Sequence, residues 1–459
     1  MPPVRALPGD FHYHAYDYAG AAPWALSAPV PSAGNFPFYS LLQDLAGLHA
    51  DALAAGVPNV NLGNLGAQTH GGRDIPVLSL GNRLNDPNAP AVVITGGIHA
   101  REWMAVEFAY LLAEYLISHY VAAPAAVNRY QRTIRNLVDA RRIVIIPMLN
   151  PDGNDYSVFG VGHNHRRWRK NRRPLPTDFN GWEAELAPGH VLRAPFANLA
   201  GGYNPTYDVP GYPVNGALPP VPAAWGLAFL PANQRHGVDL NRNLTTAAWG
   251  WSSGRVAMAG AVVYPDGDPE QDSYFGTRPG GEAEAGALQV RLAAIGPVSA
   301  AIDYHGYGRA ILYPTEAWNT GLVGTGYKAL GTALKELVHA PGVRDYQLGS
   351  PRQVLGYDGT GSVIDHLAQH RQARAFTIEV DPAWNPADNA DAAQAKFQQP
   401  EDQITVVFEK NIRGALAVLA TPRPTVTRAQ AAQHPLRMAK TAMKLLTWDV
   451  YGRGNQLPA

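Results

Sequence analysis

The stretch AVVITGGIHAREW, residues 91–103, passes from a β-branched apolar run through paired glycines into a polar turn. Residues 91–97 read as a short buried strand, and the apolar spacing of about 104–121 predicts a long helix after it. Three other runs have the same character: RRIVIIPML (141–149), PVSAAIDY (297–304) and ARAFTIEV (373–380). They do not alternate strictly between apolar and polar residues, which marks strands covered on both faces. Helical spacing recurs at 37–54, 281–295, 326–339 and 399–420, and a basic helix is expected at about 436–447. Residues 59–67 and 74–81 read as a hairpin turned by Gly71, Gly72 and Arg73. A loop is expected from the helix near 326–339 to residue 362, followed by the strand at 373–380. Strands alternating with helices predict an α/β fold, with a mostly parallel sheet covered on both faces.

Composition narrows the function. The chain has 459 residues and no cysteine, which excludes a disulfide scaffold, a thiolate metal site and a cysteine nucleophile. Lys+Arg and Asp+Glu are both 37, so bulk charge gives no reason to expect nucleic acid or an anionic membrane as partner. Lysine is scarce beside arginine, and alanine, glycine and proline abound, a composition associated with GC-rich bacterial genomes. No run of 18 apolar residues exists, so no membrane span is expected. The N-terminus MPPVRALPGDFHYHAYDYAG lacks a charged start followed by an apolar stretch, so a cytoplasmic location is expected, with secretion the alternative. Residues 174–236 carry eleven prolines and no periodicity, and read as a long irregular insertion.

The chemistry-bearing residues gather at strand ends. His99 and Glu102 follow the strand at 91–97, Asn150 follows 141–149, His305 follows 297–304, and Glu379 sits in the last turn of 373–380. In open α/β sheets, ligands bind at the carboxyl ends of strands. A His and a Glu three residues apart, with a distant His, form the ligand set of an open catalytic zinc site. Any one of these signals is weak, since a helix-start Glu or a half-buried His is ordinary. HNHRRWRKNRR (163–173) taken alone reads as a solvated basic loop or a nucleic-acid patch.

The order of the surrounding strings is far more specific. GGIHAREW (96–103), NPDG (150–153), RWRKNRR (167–173), GVDLNRN (237–243), DYHGYG (303–308), YDGTGSVID (357–365) and FTIEV (376–380) occur in that sequence. Together they resemble the zinc carboxypeptidases of the carboxypeptidase A type, over roughly residues 10–420 less the insertion. The resemblance implies a mixed sheet of about eight strands with helices on both faces. It implies one catalytic domain at 1–423, carrying the insertion at 174–236, and a helical extension at 424–459. It also implies one zinc ion per chain, on His99, Glu102 and His305. Glu379 matches the general base and Arg169 the arginine that polarises the scissile carbonyl. Asn241, Arg242 and Tyr357 match the group that holds a substrate's terminal carboxylate, Arg101 an accessory arginine, and Asp239 the carboxylate that orients the first His. The expected substrates are peptide or protein C-termini, cleaved one residue at a time by metal-activated water. A zinc amidase acting on cell-wall peptides and a non-catalytic peptide-binding protein are the rival readings.

Some positions depart from the family pattern. The resemblance implies that Ile364 lies at the base of the pocket for the terminal side chain, which would favour apolar or aromatic residues, whereas Arg352, five residues before Tyr357, would favour acidic ones if it falls near that pocket. His366 replaces an aromatic and is read as structural. Asp266, Asp268 and Asp272 read as a polar turn in preference to a calcium loop. Asn243-Leu244-Thr245 is a formal glycosylation sequon whose place beside the site argues against its use.

Overall fold

The computed structural model describes residues 37–120, 129–159, 165–174, 237–246, 256–258, 261–263, 272–314, 327–338, 346–356, 359, 361–385, 387, 390–399 and 402–421. The insertion beyond Pro174, the C-terminal extension and Tyr357 lie outside these residues, as do Asp266 and Asp268.

An eight-stranded mixed sheet forms the frame. Its strands are β1 (Asn61–Gln68), β2 (Asp74–Leu80), β3 (Ala91–Thr95), β4 (Arg142–Ile146), β7 (Val298–Gly308), β8 (Ala310–Leu312), β9 (Gln347–Gly349) and β10 (Arg374–Ala383). They run in the order β1-β2-β4-β3-β7-β10-β8-β9. The central strands β4, β3, β7 and β10 are parallel, while β1–β2, β2–β4 and β10–β8 are antiparallel. A separate small hairpin joins β5 (Val256–Met258) to β6 (Ala261–Val263).

The continuous apolar runs are explained by cover on both faces. Val92 and Ile94 of β3, with Ile143 and Ile145 of β4, point into one apolar layer. That layer is covered by α1 (Pro37–Ala54), α2 (Trp103–Ser118), α6 (Lys328–Leu337) and α10 (Asp402–Leu419). Ala91 and Val93, with Val144 and Ile146, point into the other. There α5 (Ala283–Ala294) and α8 (Val363–Arg371) supply Leu288, Leu292, Val363 and Leu367. Burying each such aliphatic side chain contributes about 1.5–3 kcal/mol, so both faces must be apolar for the sheet to persist.

The expected strands and hairpin are all present. The segment between 339 and 373 is more ordered than expected. It holds β9, a single turn α7 (Pro351–Val354) and α8, where a loop running to a strand was expected. Both helices are started by capping serines: Ser350 accepts from the Gln353 amide, and Ser362 from the Asp365 amide. Two further helices, α3 (Arg129–Ala140) and α4 (Pro151–Phe159), flank β4, and α9 (Ala390–Phe397) follows β10.

Between β3 and β7 the chain order breaks. From β3 it crosses to β4 on one side, and it later returns to β7 on the other. The carboxyl ends of β3 and β7 therefore frame a crevice, where an α/β sheet places its ligands.

Candidate metal centre and active site

Two glycines start the site. Gly96 and Gly97 end β3, and a Cβ on Gly96 would stand 2.4 Å from the Ala105 carbonyl oxygen. Gly97 has φ +61, and a Cβ there would lie 2.5 Å from Val106 Cγ2. Only glycine lets the chain turn this tightly beneath α2. The turn sets His99 just outside that helix and makes Glu102 its N-cap.

His305 enters from the neighbouring strand. Thr95, at the end of β3, pairs in register with Asp303 of β7, and Glu379 of β10 pairs with His305. Three elements distant in sequence thus meet at one end of the sheet. His99 Nδ1 lies 2.8 Å from Glu102 Oε1, and His305 Nδ1 lies 2.9 Å from Glu102 Oε2. The two Nδ1 atoms are 3.0 Å apart. Among the described residues this trio is the one set of His, Cys, Asp or Glu groups arranged to hold a metal ion. The donor set fits zinc, with two imidazole nitrogens and one carboxylate converging and no thiolate needed. The far side of each ring is committed to a carboxylate. His99 Nε2 is 3.2 Å from Asp239 Oδ1, and His305 Nε2 is 2.8 Å from Asp303 Oδ2. A ring that donates through Nε2 presents a bare lone pair at Nδ1. The two Nδ1 atoms face the same space 3.0 Å apart, where a bound cation would take a lone pair from each.

The charges around the trio are tightly coupled. Burial works to raise the Glu102 pKa, but His99 and His305 outweigh it and hold the carboxyl well below its ordinary range. Burial opposes ionisation of Asp239 as well, and there Arg169, His99 and Arg242 win and hold it well below normal. Glu379 behaves differently. Burial, reinforced by Glu102 and Asp303, pushes its pKa up to about 8 against the pull of His305 and Arg169. A carboxyl poised near neutrality beside a metal trio suits proton transfer.

Asp239 is the hub of the second half of the site. It caps the turn Leu240–Arg242, accepting from the Asn241 amide at 2.9 Å. It also accepts from Arg169 Nε at 2.9 Å, while Arg169 Nη1 reaches within 3.8 Å of Glu102 Oε1. One carboxylate therefore fixes His99, Arg169 and the Asn241–Arg242 turn together. Asn241 Oδ1 accepts from the Val363 amide at 3.0 Å, which turns its Nδ2 toward His305 Nε2 at 3.3 Å. Arg242 is buried, donates to the Asn241 carbonyl at 2.8 Å and packs against Gly359, where a Cβ would stand 3.3 Å from its guanidinium carbon.

The remaining expected residues are more scattered. Arg101 donates to Asp272 Oδ2 and to the Arg167 carbonyl, both at 2.8 Å, and lies 4.5 Å over the Phe397 ring. That pairing supports the polar-turn reading of Asp272. Ile364 is buried in the apolar layer under α8, and Arg352 is exposed on α7. His366 Nδ1 holds the Thr245 carbonyl at 2.8 Å, the structural role expected of it. Asn243 is fully buried, and its Nδ2 donates to the Phe275 and Arg278 carbonyls, so the sequon nitrogen is not available to a glycan. The basic run turns inward: Lys170, Asn171 and Arg172 are buried, and Arg172 lies 3.6 Å over Tyr156 and 4.4 Å over Trp168. From Arg166 to Arg172 its side chains are buried or half-buried, unlike those of a solvated loop. Asp303 and Thr95 received no role from the sequence, although DYHG places Asp303 two residues before the second His, on the same face of its strand.

Comparison with known proteins agrees with this architecture. The zinc carboxypeptidase family profile matches residues 49–414. A zinc carboxypeptidase of Saccharothrix mutabilis subsp. capreolus is 40% identical over 122 residues, which is 26% of this chain and 26% of that protein. Metallocarboxypeptidase A of Trichophyton tonsurans is 24% identical over 389 residues, 83% of this chain and 68% of its own length. Among solved structures, thrombin-activatable fibrinolysis inhibitor superposes with TM-score 0.53 at 18% identity, covering 83% of this chain and 73% of that one. Carboxypeptidase A from Helicoverpa armigera superposes with TM-score 0.50 at 19% identity, over 89% of this chain and 72% of that one. With the family profile matched over most of its length and a His-Glu-His trio at the carboxyl ends of its central strands, the chain belongs to the zinc carboxypeptidase family, a family of zinc-dependent hydrolases.

Proposed function

We propose that this protein is an exopeptidase that removes the C-terminal residue of peptides, using His99, Glu102 and His305 to hold zinc. The observation that carries this reading is the sharing of Asp239. The same carboxylate fixes His99, Arg169 and the turn bearing Asn241 and Arg242, so the reacting centre and a guanidinium suited to a terminal carboxylate form one rigid unit. An endopeptidase has no use for a buried arginine at that place.

Bound zinc supplies the Lewis acidity that activates water and polarises the scissile carbonyl. Glu379 takes a proton from the attacking water as its oxygen bonds to the carbonyl carbon. It returns that proton to the amine nitrogen as the C–N bond breaks. Arg169 is placed to stabilise the negative charge that develops on the former carbonyl oxygen. Asn241 and Arg242 bind the terminal carboxylate, a role that the resemblance extends to Tyr357. The apolar surroundings of Ile364 and the exposure of Arg352 support a preference for apolar or aromatic terminal residues.

A panel of N-blocked dipeptides ending in Phe, Leu, Lys or Glu tests the reading, with each C-terminal amide as control. Zinc-loaded protein should cleave the Phe and Leu acids fastest and leave the amides intact. Glu379→Gln should lower kcat on the order of 10²–10⁴-fold while keeping stoichiometric zinc. Cleavage of the amides at the rate of the acids, or full activity in Glu379→Gln, would overturn it.

A further inference from the structure

Among the described ion pairs, Asp303 has a single partner, His305. The Asp303 carboxylate is almost wholly buried in the middle of β7, where an unpaired charge costs several kcal/mol. Its Oδ1 accepts from Thr95 Oγ1 at 2.6 Å, and its Oδ2 faces His305 Nε2 at 2.8 Å. The opposite ring nitrogen, Nδ1, faces Glu102 and His99. Asn241 Nδ2 also approaches His305 Nε2, at 3.3 Å. That contact cannot satisfy an Nε2 proton, because an amide nitrogen donates and does not accept. Among the described residues, only Asp303 is placed to accept from His305 Nε2. Asp239, by contrast, divides its charge among His99, Arg169 and the Asn241 amide.

We propose that Asp303, clamped by Thr95, is a positioning residue that locks His305 in the tautomer and orientation for metal binding and strengthens it as a donor. The strand register supplies the clamp. Thr95 and Asp303 are direct partners across β3 and β7, and Asp303 and His305 lie two residues apart on one face of β7. The ring is thereby held from behind by a group attached to two strands. Both ligand histidines of this centre are backed by a carboxylate, and the metal site is built as deeply as its supporting layer.

This inference rests on the assignment of His305 as a ligand, so its test includes that assignment. Full-length Asp303→Asn, Asp303→Ala, Thr95→Val and His305→Ala variants are compared with wild type by competition for zinc against a chromophoric chelator. The visible spectrum of the cobalt(II)-loaded proteins gives a second readout. Asp303→Asn keeps an acceptor for Nε2 and loses the charge, so its zinc dissociation constant should rise about 10-fold; Asp303→Ala should reach the upper part of the ~10–100-fold range. Thr95→Val should weaken zinc in the same direction with a smaller effect. The cobalt spectra of the Asp303 variants should shift, while the melting temperature of metal-free Asp303→Asn stays at or above the wild-type value. Zinc affinity within twofold of wild type and an unchanged cobalt spectrum in Asp303→Asn would overturn the proposal. So would a drop in metal-free melting with unchanged affinity, which is the mark of a packing role. If His305→Ala retains wild-type zinc binding, the ligand assignment itself falls, and the proposal with it.

Discussion

Single carboxyl groups divide sharply by their surroundings. Glu102 and Asp239 are held ionised by the cations and imidazoles around them, whereas Glu379 and Glu284 are pushed toward the neutral form. Glu284 lies outside the metal centre, on α5, where Asn171 Nδ2 reaches its Oε2 at 3.2 Å. Burial first, then the neighbouring Glu282, raises its pKa from 4.5 to about 8. The folded protein therefore binds a proton that the unfolded chain has released. Glu284 contributes no penalty below about 4.5, and stability falls as the pH rises through about 8. Glu284→Gln keeps the acceptor for Asn171 and removes the titration. Its melting temperature relative to wild type should climb between about pH 5 and pH 8 and level off above that, with a gain of up to about 5 kcal/mol at the alkaline end. A difference that stays constant across that range would show that Glu284 ionises normally.

At the scale of elements, the segment 165–173 determines whether the centre has its arginine. It has little regular structure, so side chains and scattered backbone bonds must hold it. The Arg169 carbonyl accepts from the Ala100 amide at 3.0 Å, and the Lys170 carbonyl from Asn150 Nδ2 at 3.1 Å. Asn171 is the main tie: Oδ1 accepts from the Val238 amide at 2.8 Å, and Nδ2 donates to Glu282 Oε2 at 2.8 Å. Asn171→Ala leaves the buried Val238 amide without its partner, which should cost about 1–3 kcal/mol and lower the melting temperature, while Glu282 Oε2 keeps Arg173. Because Arg169 is carried on the same segment, kcat/KM should fall as well, toward the ~10²–10³-fold loss expected for Arg169→Ala. A destabilised Asn171→Ala with undiminished kcat/KM at low temperature would mean that Asp239 alone suffices to hold Arg169. These ties explain what could be read in advance. Runs such as 91–97 and 373–380 declare themselves because a strand covered on both faces needs apolar residues almost throughout. The helix Val363–Arg371 did not, since most of its second half is polar and its apolar contribution comes from Val363, Ile364, Leu367 and Ala368. Its start was nevertheless written in Ser362 and Asp365, three apart, as the cap of the preceding short helix was in Ser350 and Gln353. The metal trio and its arginine were legible only through several motifs in order, because local spacing does not reveal which strands lie side by side. Asp303 was hidden for that reason: its role depends on Thr95, brought opposite by the β3–β7 register.

Over the whole molecule, two apolar layers hold the sheet from both sides while charge accumulates at one end of it. Glu102, Asp239, Asp303 and Glu379 stand against Arg169 and Arg242 at that end. Four carboxyl groups meet two guanidinium groups there, so the centre as a whole favours a bound divalent cation. Metal binding therefore offsets carboxylate repulsion and brings Glu379 back toward ionisation. The unfolded chain, with His99 and His305 separated by two hundred residues, offers no comparable site. Zinc must accordingly bind the folded state in strong preference, and linkage turns that preference into stability. Free zinc held at about a thousand times its dissociation constant should add roughly 4 kcal/mol, and calorimetry should record a melting temperature that rises with zinc and falls on chelation. Restoring the metal should restore both melting temperature and activity, because the frame of the site is set by the sheet and not by the ion. Equal melting temperatures for zinc-loaded and chelated protein would mean that the trio does not bind zinc in the folded state, and the charge argument would fail with it.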